Sequence, residues 1–222
     1  MFLELPDVLS ARDLDRLRAI AAKARFVDGK LSSPHSQVKE NLQIDHGDAA
    51  YQDSTKIMAD ALRRSEAMGA FAFPRVLAPP MLAKYAAGMR YGPHVDAAFL
   101  PLPTRALRSD LSCTIFIARP GDYEGGELSI DLGGRKIDFK GAAGSAVIYP
   151  STTLHEVKPV TAGERLVGLT FIESFIPDPA HRDLLYQLDE VAALEGLNMS
   201  WDNRTKLQYV RNNLRRMWGE AG

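Results

Sequence analysis

The chain has 222 residues, 45% hydrophobic and 25% charged, with a formal net charge of −1. That length permits a large core in one main domain with helical additions, and the composition excludes a disordered or low-complexity protein. Near-neutrality excludes the global positive field that draws a protein to nucleic acid or to an anionic membrane.

The first predicted element is a helix in "LSARDLDRLRAIAAKARF", where Ser10 and Asp13 can form a capping box and Leu14, Leu17, Ala21 and Ala24 make one apolar stripe. This N-terminus lacks the basic region and unbroken apolar run of a signal peptide, and nowhere do eighteen apolar residues follow one another to span a bilayer. The single cysteine, Cys113, lies in "LSCTIFIA" and reads as a small buried hydrophobe suited to a reducing compartment. A cytoplasmic chain without a membrane partner is therefore expected. The Asp-Gly of "VDGK" predicts a hairpin turn. A second helix is expected at "STKIMADALRRSEAMG", capped by Ser54 or Asp53 and stopped by Gly69.

From about residue 72 the texture changes to short apolar or alternating runs punctuated by glycine and proline, among them "AFPRVL", "LSCTIFIA", "GELSID", "RKIDF" and "SAVIYP". Such a series predicts a β-sandwich or barrel. Helical periodicity returns in "HRDLLYQLDEVAALEG" and "DNRTKLQYVRNNLRRMW". The fold class is thus mainly β with flanking helices (α+β), divided into a supporting region over 1–75, a β core over 76–177 and a helical extension over 178–222.

The chemistry begins at "YAAGMRYGPHVDAAF", where His94 and Asp96 stand one residue apart. Side chains two apart on an extended segment face the same way, and Pro93 favours that extension. In "STTLHEVKPVTAGERLVGLTFIESF", His155 lies on another predicted strand, "TAGE" reads as a turn, and Arg165 begins the returning strand. For His155 and Arg165 to share a face, that turn must hold three residues or a bulge, which Gly163 suits. Two histidines and a carboxylate on a β scaffold match the facial triad that binds non-haem Fe(II) and leaves open coordination positions. A nearby arginine can grip a dicarboxylate through two parallel charged hydrogen bonds. Taken singly, either histidine reads instead as a hydrogen-bonded core residue.

"HVD", a later "H", and an "R" ten residues beyond it resemble the prolyl/lysyl-hydroxylase-like branch of the Fe(II)/2-oxoglutarate dioxygenases. The fuller strings "YAAGMRYGPHVDAA", "DYEGGELSI", "GSAVIYPSTTLHEVKPVTAGERLVGLTF" and "RDLLYQL" are similar to the bacterial PKHD-type hydroxylases, a group associated with iron uptake. The resemblance implies a double-stranded β-helix, or jelly roll, with His94, Asp96 and His155 as the catalytic iron ligands. It places Arg165 on the distal carboxylate of 2-oxoglutarate and Tyr85 in hydrogen-bonding range of the same co-substrate. It further implies L-ascorbate as a reductant, O2 as an oxidant, and a small-molecule or peptidyl substrate. The reaction would couple decarboxylation of 2-oxoglutarate to succinate and CO2 with C–H hydroxylation. The intact His-x-Asp favours hydroxylation over the halogenation of relatives lacking that carboxylate. Two other readings stay open: an iron- and 2-oxoglutarate-responsive regulator with little turnover, and a metal-free jelly-roll ligand-binding module. A nucleic-acid repair dioxygenase is disfavoured by the lack of basic charge.

Around this constellation, Tyr91 and Tyr149 are candidates to wall a pocket or simply to pack the core. His35, His46 and His181 read as surface residues. The irregular segment "FLPLPTRALRSD", residues 99–110, is expected to contact substrate, with Arg105 and Arg108 as candidates to meet an anionic group. In the last helix, Leu207, Val210, Leu214 and Trp218 form a stripe that packs on its own domain or serves a homo-oligomer.

Overall fold

The computed structural model describes residues 1–220. Up to residue 72 the chain forms β1 (Leu3–Leu5), α1 (Ala11–Ala21), β2 (Phe26–Asp28), β3 (Lys39–Glu40), β4 (Leu42–Ile44), α2 (Ala49–Arg64) and α3 (Glu66–Ala72). Strands then dominate: β5 (Pro74–Leu77), β6 (Met81–Ala86), β7 (Arg90–His94), β8 (Phe99–Pro101), β9 (Ala106–Arg108), β10 (Leu111–Phe116) and β11 (Tyr123–Gly125). They continue as β12 (Leu128–Asp131), β13 (Lys136–Phe139), β14 (Ala146–Pro150), β15 (His155–Val157) and β16 (Val160–Ser174), followed by α4 (Pro179–Glu195) and α5 (Trp201–Trp218).

Local chemistry explains where these elements start and stop. Ser10 and Asp13 form the expected capping box, and α1 buries Leu14, Leu17 and Ala21. The Asp-Gly at 28–29 makes no hairpin. Asp28 instead accepts a hydrogen bond from the Lys30 amide and caps a short 3-10 turn, Gly29–Ser32, because its side chain competes for the local backbone donor. The second helix starts earlier than Asp53, capped by Asp48 at the Ala50 amide, and it breaks at Ser65, which caps α3. Gly69 sits inside α3, and the chain leaves that helix through Phe73 in the left-handed region at φ 44°.

The strands form a double-stranded β-helix. A nine-stranded antiparallel sheet runs β1-β14-β10-β16-β6-β4-β2, with β5 and β11 also on β16; a five-stranded sheet runs β13-β12-β15-β7-β3. From β6 onward the chain crosses repeatedly between them, with β6, β10, β14 and β16 in the larger sheet and β7, β12, β13 and β15 in the smaller. This alternation turns two stacked sheets into a flattened barrel. The larger sheet's outer face carries the N-terminal helices: α2 approaches β16 so closely that a Cβ on Gly168 would collide with Met58. Its inner face, defined by the rows through Ser112, Phe171, Arg165 and Tyr85, looks toward the smaller sheet.

Cys113 is 1% exposed on β10, and burial pushes its thiol pKa up to about 12. Since only the thiolate is a good nucleophile, native protein is expected to resist iodoacetamide near pH ~8. One label should appear only on unfolding, as intact mass would record.

The C-terminal helices lie against one another and cover little. α4 buries Arg182 and Leu185, whereas α5 buries none of its residues. Leu207, Leu214 and Trp218 are half-buried, Val210 is exposed, and Trp218 stacks on His181 with ring centroids 4.2 Å apart. Leu194, Leu197, Trp201, Tyr209 and Met217 face solvent. No helix among the described residues is long and apolar enough to cross a membrane.

Candidate metal and co-substrate site

β7 and β15 are neighbours in the smaller sheet, and their register sets His94 directly opposite His155. Asp96 follows just beyond the end of β7, where its amide donates to the Ser151 carbonyl at 3.3 Å. One nitrogen from each histidine and one carboxylate oxygen all lie within 4.8 Å of one another. His155 Nε2 stands 3.6 Å from Asp96 Oδ2 and His94 Nε2 stands 3.9 Å from Asp96 Oδ1, both too long for a hydrogen bond.

The surroundings decide what these atoms offer. His94 Nδ1 is 2.8 Å from the Gly92 carbonyl and His155 Nδ1 is 2.9 Å from the Thr153 carbonyl. A carbonyl only accepts, so each Nδ1 carries the proton and each Nε2 presents a lone pair toward Asp96. Burial first, and then the neighbouring His155, pull the His94 pKa down to about 4, which keeps that lone pair free. Ser112 Oγ donates to Asp96 Oδ2 at 2.5 Å and shares a 2.7 Å hydrogen bond with Ser151 Oγ, fixing the carboxylate's orientation. Two lone pairs and a carboxylate thus converge with no proton donor between them, the donor set that a divalent cation satisfies. Tyr91 stacks on His94 at 3.5 Å between centroids, and Tyr149 meets His155 edge-on at 5.0 Å. These aromatic walls hold the imidazoles in place and limit water access.

Arg165 lies on the facing sheet. It is 1% exposed, and its Nε, Nη1 and Nη2 atoms have no hydrogen-bond partner. A buried guanidinium without an acceptor is costly, so the protein holds in reserve a cation shaped for a carboxylate fork. Tyr85 is its direct cross-strand neighbour, with the guanidinium carbon 4.9 Å from the ring centroid. Burial pushes the Tyr85 hydroxyl pKa up to about 12, so it stays a neutral donor. Gly126, at φ 67°, makes room here, since a Cβ would stand 3.1 Å from Arg165 Cδ and 2.9 Å from Val160 Cγ2.

The 2OG-Fe(II) oxygenase superfamily model matches residues 80–173, the span that carries all of these side chains. A PKHD-type hydroxylase of Sphingopyxis alaskensis is 52% identical over 215 residues, covering 97% of this chain and 98% of that protein. The chain belongs to the PKHD-type hydroxylases. A second relative, the PKHD-type hydroxylase Tgr7_2199 of Thioalkalivibrio sulfidiphilus, is 40% identical over 224 residues, with 100% of both chains covered. Among solved structures, a Pseudomonas putida prolyl-4-hydroxylase superposes with a TM-score of 0.53 at 21% identity, covering 78% of this chain and 92% of that one. A Trichoplax adhaerens prolyl hydroxylase gives 0.55 at 15% identity, covering 78% and 83%. These two likenesses concern the fold. The enzyme is accordingly an oxidoreductase of the 2OG-Fe(II) oxygenase superfamily, whose cofactors are Fe(II) and 2-oxoglutarate, with ascorbate typical of the family.

The structure corrects two expectations for the hydroxylase. "TAGE" is no turn, because Thr161 to Glu164 lie within β16 and the reversal occurs at Lys158–Pro159. Gly163 takes φ 74° and pairs with Tyr123 on β11, so the feature read as a turn is local strand geometry. His155 and Arg165 therefore look inward from opposite sheets. Residues 99–110, expected to be irregular, form the β8–β9 hairpin, and its two arginines are already engaged. Arg105 makes a bidentate pair with Glu173 at 2.8 and 3.0 Å, and Arg108 one with Asp110 at 2.8 and 3.1 Å plus a 2.9 Å bond to Glu220. Their anionic partners are thus the chain's own carboxylates, which anchor the hairpin. Glu173 is 2% exposed and also accepts from the Arg108 amide, so Glu173→Ala is expected to cost about 1 to 2 kcal/mol, since the part-exposed Arg105 can turn to water. Urea unfolding would measure that loss, and 2-oxoglutarate affinity should not change.

His35 and His46 are exposed, and His181 is half-buried against Trp218, all away from the triad. The residues that sequence reasoning passed over are Ser112, Ser151 and Lys39. Ser112 had a signal, as a polar residue in the otherwise apolar run "LSCTIFIA" at the start of a buried strand.

Proposed function

We propose that the chain is an Fe(II)- and 2-oxoglutarate-dependent hydroxylase in which His94, Asp96 and His155 hold the metal and Arg165, backed by Tyr85, holds the distal carboxylate of 2-oxoglutarate. The observation that carries this reading is the pairing of a converging His-Asp-His cluster with a buried, unpartnered guanidinium on the facing sheet. When bound, the metal and keto acid supply the oxidative decarboxylation to succinate and CO2 that is coupled to C–H hydroxylation. The chain's own part is placement. Hydrogen bonds from each Nδ1 to the Gly92 and Thr153 carbonyls set both histidine tautomers, Ser112 orients Asp96, and Tyr91 and Tyr149 pack against the two imidazoles.

The convergence of two imidazole nitrogens and a carboxylate favours this reading over a metal-free binding module. The buried Cys113 fits a cytoplasmic setting, and the exposed apolar side chains of α4 and α5 fit contact with a second copy. The likeness to iron-uptake-associated hydroxylases supports a role in iron homeostasis. The test is turnover under isotopically heavy dioxygen, with Fe(II), 2-oxoglutarate, ascorbate and the small-molecule fraction of a bacterial extract. One heavy oxygen should enter succinate and one an extract component. Binding of iron and 2-oxoglutarate without such labelling would favour the regulatory alternative.

A further inference from the structure

Lys39 is a buried cation on the smaller sheet, and the metal and co-substrate roles leave it unused. It is 6% exposed on β3, opposite Tyr91 of β7. Its Nζ donates to Ser32 Oγ at 2.8 Å and lies 5.3 Å from the centroid of the Tyr91 ring, the same ring that stacks on His94. Among the described residues it makes no hydrogen bond to a carboxylate; Asp96 and Asp28 act on it only at longer range. An ammonium has three donors, so Lys39 is under-used for so dry a place. Burial lowers its pKa to about 8.

The stretch "VKENLQI" shows that the feature is larger than one residue. Lys39, Asn41 and Gln43 are buried, while Glu40 is exposed and Leu42 only half-buried. Polar side chains point inward, the reverse of the alternation that a half-solvated sheet normally displays. In register, Gln43 stands opposite Ala83, so the same pairing carries Asn41 to the level of Tyr85 and hence of Arg165. The side-chain oxygens of Asn41 and Gln43 are buried without a partner. A polar stripe therefore runs along the inner wall from the His94 side toward the Arg165 side, with an under-used cation at one end and two unpaired side-chain oxygens beyond it. Buried polar groups left unpaired in a folded chain point to a missing partner.

We propose that Lys39, with Asn41 and Gln43 further along the same wall, anchors a carboxylate of the molecule that is hydroxylated, so that the substrate is a small or peptidyl acid with N–H or O–H donors beyond that carboxylate. This rests on the hydroxylase reading above and adds the substrate's chemical class. The charges fit: Arg165 matches one end of 2-oxoglutarate, the metal takes the other, and Lys39 is the cation left over.

The experiment compares wild type, Lys39→Met and Lys39→Arg, each loaded anaerobically with Fe(II) and titrated with 2-oxoglutarate, then exposed to air with a bacterial small-molecule extract, untreated or methyl-esterified. Lys39→Met should bind 2-oxoglutarate within about two-fold of wild type yet form oxygenated products at least about ten-fold more slowly, the scale of a lost hydrogen bond between charged groups. Lys39→Arg should recover part of that rate. Products should be acids retained by an anion exchanger, and esterification should remove their precursors. Weakened 2-oxoglutarate binding in Lys39→Met would assign the lysine to the co-substrate instead. Neutral products, or products formed by Lys39→Met at the wild-type rate, would also overturn the inference. A wild-type enzyme that binds Fe(II) and 2-oxoglutarate but oxygenates nothing in the extract would overturn the hydroxylase reading and this one with it.

Discussion

Asp96→Ala and His155→Ala are each expected to abolish stoichiometric Fe(II) binding and to reduce 2-oxoglutarate turnover by about 10³-fold or more, the scale of several kcal/mol of lost metal assistance. The expectation follows from how few groups do the holding. Only three side chains converge, and the protein provides no fourth His, Cys, Asp or Glu ligand to that cluster among the described residues. Removing Asp96 also removes the only anion of the triad, leaving two neutral imidazoles to bind a divalent ion. Anaerobic equilibrium dialysis with Fe(II) would measure this directly, with His35→Ala as a control that should bind normally because His35 is exposed and outside the cluster. Circular dichroism should show both ligand variants folded, since neither residue belongs to the apolar core. Unaltered Fe(II) affinity in either variant would remove the proposed site.

Arg165→Met is expected to leave Fe(II) binding intact and to weaken 2-oxoglutarate binding by about 10² to 10³-fold, the scale of two charge-assisted hydrogen bonds. The second half of this prediction concerns stability and has the opposite sign to most core substitutions. In the ligand-free protein the guanidinium is buried with no acceptor on any of its nitrogens. Replacing it with an apolar side chain removes a desolvated charge, so the melting temperature without ligand should hold or rise. Wild type should gain thermal stability as 2-oxoglutarate is added, by the linkage between binding and folding, and Arg165→Met should lose that gain. Arg165→Lys should restore part of the affinity, because the charge returns without the planar fork. A ligand-free Arg165→Met protein that melts well below wild type would mean the arginine serves the core rather than the co-substrate.

These variants test residues that were legible from local sequence, and the reason is physical. A metal triad needs particular atoms, and few residue types supply them, so "HVD", a later histidine and an arginine stand out at any level of structural ignorance. Ser10 and Asp13 were legible in the same way, because a capping box is completed within one helical turn. The β core was legible from its short apolar runs set between glycines and prolines, as in β10, β12 and β14, which are buried along nearly their whole length. What failed were places where a local signal met a longer-range partner. The Gly163 turn signal was overridden by β11, which pairs across it and lets β16 run on. The Asp-Gly at 28–29 was overridden because the Gly29 amide donates to the Asn41 carbonyl while Asp28 caps locally. Arg105 looked free until Glu173, from a distant strand, came to meet it.

The sequence by itself determined the ingredients: the three candidate ligands, the arginine, the helices at both ends and the short apolar strands between them. Those depend on residue type and short-range periodicity, which the chain carries wherever it is placed. Only the tertiary structure decided how the ingredients meet. It set His94 against His155 through the pairing of β7 and β15, placed Arg165 on the opposite sheet, and turned Lys39, Asn41 and Gln43 inward. The direction of that last stripe could not be read locally. A strand has two faces of equal period, and which one is the inside is fixed only when the two sheets close on each other.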